Sequence, residues 1–193
     1  MIKKLSAIFA FAVLILPRVV YPTQSETSQK ESIAPQASPE MRRLSDAFLG
    51  NWRVSESFEI EPAKRGMTRE GTASFRLGAG VSLVEDYHSN GSAGDLHFLA
   101  LLWWDGSKHF YRLLTCANNS GCELRGSARW EGNALVNSWQ EDVQGQTATF
   151  EDSFRDITPS SFVLVSEGKA GAKVIWRVIT RYSRVRESIA TPH

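Results

Sequence analysis

The chain has 193 residues, and its 22 Lys or Arg residues against 21 Asp or Glu residues give a formal net charge of +1. This balance argues against a nucleic-acid partner, because binding to phosphates requires a clustered basic surface. The four histidines lack ligand spacing and there are only two cysteines, so we expect no metal site.

The amino terminus has the pattern of a secretion signal. Lys3 and Lys4 precede an apolar run at residues 5–16, and Thr23 and Ser25 are small residues suited to a cleavage site. The run is shorter than the about 20 apolar residues that span a bilayer. We therefore predict a signal peptide at residues 1–25 and an exported protein, periplasmic or extracellular, with an uncleaved anchor as the alternative.

The rest of the chain divides by composition. The polar residues 26–39 contain two prolines and predict a disordered linker. Residues 40–185 are long enough for one domain with its own core, and residues 186–193 predict a flexible tail. Within the domain, residues 40–49 predict a helix with Met41, Leu44 and Phe48 on one side. After it, apolar and polar residues alternate as in half-buried strands, nine or ten in number.

Four of these strands, between residues 96 and 154, are joined by turn signals. Asp105-Gly106, Gly132-Asn133 and Gln144-Gly145 predict tight hairpins. Cys116 is expected to face Cys122, and export together with this spacing favours a disulfide over two free thiols. The resulting registers place one apolar set on the inside face: Leu99, Leu101, Phe110, Leu114, Leu124, Ala128, Trp130, Leu135, Trp139, Phe150 and Phe154.

This order of short strands predicts an all-β, antiparallel, up-and-down barrel with a short N-terminal helix. Closing the sheet removes its two edges, which would otherwise pair with other chains. A β-sandwich is the alternative. A barrel of nine or ten strands is wide enough to hold a small ligand.

Six short motifs carry a family resemblance. They are Pro39-Glu40-Met41, Leu49-Gly50-Asn51-Trp52, Leu83-Val84-Glu85-Asp86-Tyr87, Trp104-Asp105-Gly106, Gly121-Cys122-Glu123 and Trp130-Glu131-Gly132-Asn133. The second resembles the Gly-x-Trp opening of calycin barrels, the lipocalins and fatty-acid-binding proteins. Their order over residues 39–184 resembles a bacterial domain-of-unknown-function family of calycin-like barrels, which implies a secreted barrel and no established activity.

The same resemblance bears on two further residues. In lipocalins an Arg near the end of the last strand packs over the opening Trp, and Arg181 is the candidate to do so over Trp52. A related haem-binding group uses a His late in the chain. Here only His193 follows His109, so we expect no cofactor.

Six polar residues fall on the inferred inside face: Glu85, His97, Arg112, Asn137, Glu141 and Asp152. Buried charges are costly unless they are paired. One interpretation is a self-satisfied network of Arg112 with the three acids. The other is that Arg112 and His97 bind the polar head of a ligand. The apolar tail would then lie on Phe110, Trp130, Trp139 and Phe150.

The leading functional hypothesis is non-catalytic binding of a small apolar or amphiphilic molecule inside the barrel. The alternative is an interaction module with a filled interior and an outer apolar patch that contacts a protein or a membrane. That patch would consist of Leu96, Phe98, Leu102 and Trp104, unless the helix or a loop covers it. An acid and base pair from Glu141 and Asp152 is a third hypothesis, and no catalytic residue is assigned.

Overall fold

The computed structural model describes residues 37–60, 64–79, 81–143 and 145–186. The predicted signal peptide, most of the predicted linker and nearly all of the predicted tail lie outside these residues. Every described residue belongs to one compact unit, Pro35–His193. Among the described residues, no helix has the length and apolar character needed to cross a bilayer.

One helix and ten strands make up the described domain. In chain order they are α1 (Pro39–Phe48), β1 (Gly50–Ile60), β2 (Thr68–Gly78), β3 (Ser82–Gly91), β4 (Leu96–Asp105), β5 (Phe110–Ala117), β6 (Gly121–Glu131), β7 (Ala134–Val143), β8 (Gln146–Arg155), β9 (Ser161–Ala170) and β10 (Lys173–Arg184). Each strand pairs antiparallel with the next, and β1 also pairs with β10, so the sheet is closed. This confirms the predicted up-and-down barrel and excludes the β-sandwich.

Helix α1 closes the end of the barrel at which β1 begins. The Ser38 side chain caps the helix by accepting a hydrogen bond from the Met41 amide, and Pro39 occupies its first turn. Met41, Leu44 and Phe48 are buried, as predicted. The Phe48 ring contacts aromatic rings from four strands on different sides of the barrel: Phe75, Trp130, Phe154 and Phe162. The helix is therefore a plug whose apolar face completes the core.

An arginine packs over the opening tryptophan, but it is Arg184 and not Arg181. Trp52 lies opposite Arg184 in the β1–β10 ladder, and the guanidinium carbon is 4.2 Å from the ring centroid. Arg181 lies opposite Ser55 and is exposed, so the prediction for it is wrong. A Cβ on Gly50, whose φ is +123°, would come within 2.4 Å of Arg184 Nη1. The Arg184 tip is flexible, so it is the positive φ that favours glycine at this position.

The registers predicted for β6, β7 and β8 are confirmed where their hairpins set them. Trp139 pairs with Phe150 and Leu135 with Phe154, as the Gln144-Gly145 turn implies. Trp130 pairs with Leu135, as the Gly132-Asn133 turn implies. These side chains all point into the barrel.

A β-bulge at Gly126 reverses the inward face on the other side of β6. Tyr111 pairs with Ala128, but Leu113 pairs with Arg125, so β6 contains one extra residue between them. Gly126 adopts a φ of +56°, and a Cβ there would lie 2.5 Å from the Ser138 carbonyl oxygen. From this point toward the β5–β6 hairpin, the odd-numbered residues of β6 and β5 face inward. On β4 the even-numbered residues face inward, which is the opposite of the prediction.

The predicted inside face is therefore wrong on β4, β5 and the first half of β6. Five residues expected inside lie on the outer face: Leu99, Leu101, Phe110, Leu114 and Leu124. Their neighbours, expected outside, point inward: Leu96, Phe98, Leu102 and Trp104. Phe98 stacks on Tyr87 with the ring centroids 4.5 Å apart, and Trp104 packs on Tyr111. The predicted outer patch for protein or membrane contact is thus part of the interior.

The first central hairpin also has a longer turn than predicted. Asp105 pairs directly with Phe110, so four residues form the loop instead of two. The Asp105 carboxylate accepts hydrogen bonds from the Ser107 and Lys108 amides at 3.1 and 3.2 Å. This local side-chain cap stabilises the wider turn.

The predicted disulfide between Cys116 and Cys122 is present and closes the β5–β6 hairpin. We expect a Cys116→Ser, Cys122→Ser variant to lose only about 2 kcal/mol of unfolding free energy, since the closed loop is short. Urea unfolding monitored by tryptophan fluorescence would measure this loss. Reduced wild-type protein should match the variant, and a loss above about 4 kcal/mol would show that the bond holds more than a loop.

Candidate functional site

A cavity of about 610 Å³ fills the barrel between the helix-closed end and the opposite end. All ten strands contribute to its wall. Its volume lies within the range of about 300–1,000 Å³ that is typical of small-molecule sites. The cavity is the candidate site, because its wall combines apolar and ionisable side chains inside the barrel.

One part of the wall is aromatic. Trp139 stacks on Phe150 with the ring centroids 5.5 Å apart, and Trp176 contacts the edge of Phe150. Across the cavity, Phe98 stacks on Tyr87. These rings offer large, rigid surfaces to the apolar part of a molecule.

A buried ion pair, Glu56 with Arg69, forms a second part of the wall. The two residues are 3% and 9% exposed and face each other across the β1–β2 ladder. Arg69 donates twice to Glu56 Oε2, from Nε at 3.0 Å and from Nη2. Glu56 Oε1 accepts hydrogen bonds from the Tyr87 hydroxyl and, at 2.8 Å, from Ser89. Both oxygens of this carboxylate are therefore satisfied by the protein.

Two further carboxyl groups, Glu85 and Asp152, line the cavity, and no cation of the described residues donates a hydrogen bond to either. Burial raises the pKa of Glu85 to about 8, with the charge of Asp152 acting in the same direction and the Tyr182 hydrogen bond opposing it. Burial also raises the pKa of Asp152 to about 6, against the Ser166 hydrogen bond and the charge of Arg125. Glu85 therefore carries a proton at neutral pH.

Two tyrosine hydroxyls each donate to one acid of the cavity wall. Tyr182 donates to Glu85 Oε1 at 3.1 Å, and Tyr87 donates to Glu56. Burial, followed by the charges of the neighbouring carboxylates, raises the pKa of both tyrosines above the usual value. Both hydroxyls consequently remain protonated donors.

Asn137 is buried beside this acidic region. It is 1% exposed and lies opposite Asp152 in the β7–β8 ladder. Neither the nitrogen nor the oxygen of its side-chain amide has a hydrogen-bond partner among the described residues. A polar group of this kind is normally satisfied by buried water.

The barrel wall is interrupted between β6 and β7. Their ladder ends at the Ser127–Ser138 pair, although both strands continue toward the open end. A second cavity of about 520 Å³ lies at this gap and shares Arg125, Trp139 and Glu141 with the first. Trp139 Nε1 donates to Glu141 Oε1 at 2.6 Å, so these side chains border both spaces.

Among solved structures, similar chains include Rv2717c from M. tuberculosis, which has a TM-score of 0.57 and 14% sequence identity. The match covers 78% of this chain and 100% of that one. A de novo designed fluorescence-activating β-barrel has a TM-score of 0.42 and 11% identity, over 73% of this chain and 96% of its own. No protein-family model matches the chain, and no curated protein does. The likeness to the M. tuberculosis protein supports the barrel fold.

The structure brings together about half of the predicted site residues. Glu85, Glu141, Asp152, Trp139 and Phe150 line the cavity, and Asn137 is buried next to it. Trp130 belongs to the closed end, where it packs on Phe48 and donates to the Tyr111 hydroxyl at 3.1 Å.

Three predicted site residues lie outside the barrel. Arg112 donates to Asp105 at 3.1 Å and covers the Phe110 ring, so neither Arg112 nor Phe110 lines the cavity. His97 contacts Asp86 on the exposed surface. Both predicted roles of Arg112, in a network with the interior acids and as the anchor of a polar head, are therefore wrong. The cause is the bulge at Gly126, which turned β4 and β5 over.

Several site residues were missed by sequence reasoning. Glu56 could have been found, because it continues the inward alternation of Trp52, Val54 and Phe58. Arg69 and Tyr182 are recognisable only once the β1–β2 and β1–β10 registers are known. The prediction of a filled interior is also wrong, given the volume of the cavity.

Proposed function

We propose that the barrel binds a small apolar or amphiphilic molecule in its interior without transforming it. The observation that carries this proposal is the 610 Å³ cavity, whose wall joins stacked aromatic rings to buried carboxyl groups. An amphiphile satisfies both parts of such a wall at once, since its apolar body covers the rings while its polar end reaches the acids.

The route into the cavity is part of the proposal. A ligand enters at the end opposite α1, or through the gap between β6 and β7. Trp139 and Arg125 stand between the two cavities, with the guanidinium carbon 5.6 Å from the ring centroid. Rotation of these two side chains widens the opening without disturbing any ladder hydrogen bond.

The setting of the domain is also proposed. Residues 1–25 act as a signal peptide, the residues from 26 up to the Ser38 helix cap as a linker and 186–193 as a tail, around a calycin-like barrel that is exported to the periplasm or beyond. The Cys116–Cys122 disulfide supports this location, because such bonds persist in oxidising compartments.

Blocking the cavity tests the proposed function. Thr115 lines the cavity on β5, whereas Thr149 is exposed on β8. We expect Thr115→Trp to weaken binding of the neutral dye Nile red at least tenfold, and Thr149→Trp to leave it unchanged, as measured by fluorescence titration. Equal binding by wild-type protein and a folded Thr115→Trp variant would contradict interior binding. Mass spectrometry of molecules that copurify with the protein would identify the natural ligand.

A further inference from the structure

In its ionised form, Glu85 presents an unused hydrogen-bond acceptor to the cavity. The residue is 4% exposed and lines the cavity from β3. One carboxyl oxygen accepts from Tyr182, and the other has no hydrogen-bond partner among the described residues. Its neighbours across the ladders, Phe75 and Ala100, are apolar. That oxygen is not among the fully buried unpartnered atoms and is open to the cavity, where a ligand that donates a hydrogen bond can reach it.

The charges that face Glu85 are mostly negative. Asp152 approaches it from β8 and Tyr182 from β10, with Tyr87 on its own strand, and the charge of Glu56 acts on both tyrosines. All three basic side chains of the described cavity wall are already engaged, and Lys64 lies over the Phe58 ring with its Nζ 5.5 Å from the centroid. Arg69 is bound to Glu56, and Arg125 donates to Glu123 at 2.6 Å while its charge acts on Asp152. The depth of the cavity thus holds an acid whose described neighbours are acidic, phenolic or apolar.

Aromatic rings line the same part of the cavity. Tyr182 donates to Glu85, Tyr87 follows it two residues later on β3, and Phe98 stacks on Tyr87. The faces of such rings attract cations, and a buried carboxylate pairs with an ammonium group through a charge-assisted hydrogen bond. Carboxylate and aromatic faces together suit an amine, whereas they repel a carboxylate head.

We propose that the ligand of this cavity is a cationic amphiphile whose ammonium group binds Glu85 and whose apolar body extends along Trp139 and Phe150. This inference rests on the proposed function and specifies the chemical class of the ligand. Asp152 adds a second negative charge near the head, and Tyr182 holds the Glu85 carboxyl in position.

Binding of such a ligand is coupled to release of a proton. Because burial raises the pKa of Glu85 to about 8, the unliganded protein carries this proton at pH 7. The arriving ammonium group replaces it, and the proton leaves to solvent. The affinity for an amine therefore rises from about pH 6 to about pH 8.5. The amine itself stays charged over this range, since its pKa is about 10.

Three ten-carbon amphiphiles that differ only in the head group test the inference by titration calorimetry: decylamine, decanol and decanoate. At pH 8.5 we expect decylamine to bind about tenfold more tightly than decanol, and decanoate to bind most weakly. Glu85→Gln should reduce the affinity for decylamine to that for decanol and leave decanol unchanged. Asp86→Asn, a substitution of the adjacent exposed residue, should alter none of the three.

The outcomes separate the two proposals. Absence of binding by all three compounds would contradict amphiphile binding itself. Tightest binding of decanol or decanoate would leave interior binding intact and overturn the cationic head. Calorimetry of wild-type protein in buffers of different ionisation enthalpy provides a test that needs no variant. Release of close to one proton per decylamine at pH 7 supports the inference, and no release overturns it.

Discussion

Replacing Arg69 with methionine is expected to lower the free energy of unfolding by roughly 3–5 kcal/mol, because it leaves the Glu56 carboxylate buried without its cation. Glu56 would keep the hydrogen bonds from Tyr87 and Ser89, which are neutral donors and do not compensate a buried charge. Urea unfolding, followed by tryptophan fluorescence at pH 7, measures the loss. This is a large share of the about 5–15 kcal/mol that stabilises a typical domain.

A second substitution distinguishes the unpaired charge from lost packing. Glu56→Gln combined with Arg69→Met removes both charges, and we expect the double variant to recover most of the lost stability. Arg53→Met provides the matched control, since Arg53 lies on the same hairpin but is exposed, and its effect should stay within about 0.5 kcal/mol. A double variant as unstable as Arg69→Met alone would show that packing and not charge dominates.

The parts of the fold that were predictable from sequence are those that local signals determine. The α1 helix has its apolar residues at helical spacing and a serine cap. The β7–β8 register follows from one turn, and Trp139 does pair with Phe150. In each case the residues that specify the structure are near one another in the chain, so no distant information is needed.

The inward face of β4 and β5 was not predictable, because it depends on a single inserted residue. Glycine at position 126 fits a regular strand as well as a bulge, and only the left-handed φ distinguishes them. Since side chains alternate with a period of two, one extra residue exchanges inside and outside on the strands whose registers were derived through it. Leu101 and Phe98 are equally apolar, so composition did not reveal the reversal.

The residues of the candidate site also divide into those that local sequence signals place and those that the bulge displaces. Asp152 and Glu141 were found because their strands alternate regularly from a correctly placed turn, and Glu85 because it alternates with Leu83 and Tyr87. Arg112 was misplaced by the bulge. The acidic character of the interior decides the ligand class, and it is apparent only in the structure. There Arg112 lies outside the cavity, paired with Asp105, and Arg69 is paired with Glu56.

The unliganded protein is expected to lose stability as the pH rises from 5 to 8.5, and Glu85→Gln is expected to abolish most of that loss. The folded protein holds the Glu85 proton up to about pH 8, whereas the unfolded chain releases it near the ordinary value of 4.5. Between these values the folded state binds more protons, so the free energy of unfolding falls as the pH rises. Between pH 5 and pH 8.5 the free energy of unfolding is expected to fall by on the order of 4 kcal/mol.

Urea unfolding of wild type and Glu85→Gln at intervals from pH 5 to pH 8.5 measures how the free energy of unfolding of each depends on pH. Groups that titrate equally in both proteins cancel when the two curves are subtracted. Asp152, with a pKa raised to about 6, still contributes a smaller slope at the acidic end in the variant. Asp86→Asn should retain the wild-type slope, because this neighbouring carboxylate is exposed and binds His97 at the surface. Parallel curves for wild type and Glu85→Gln would mean that Glu85 is solvated in the folded protein. In that case the cavity would hold enough water to hydrate a carboxylate, and an ammonium group would gain little by pairing with it.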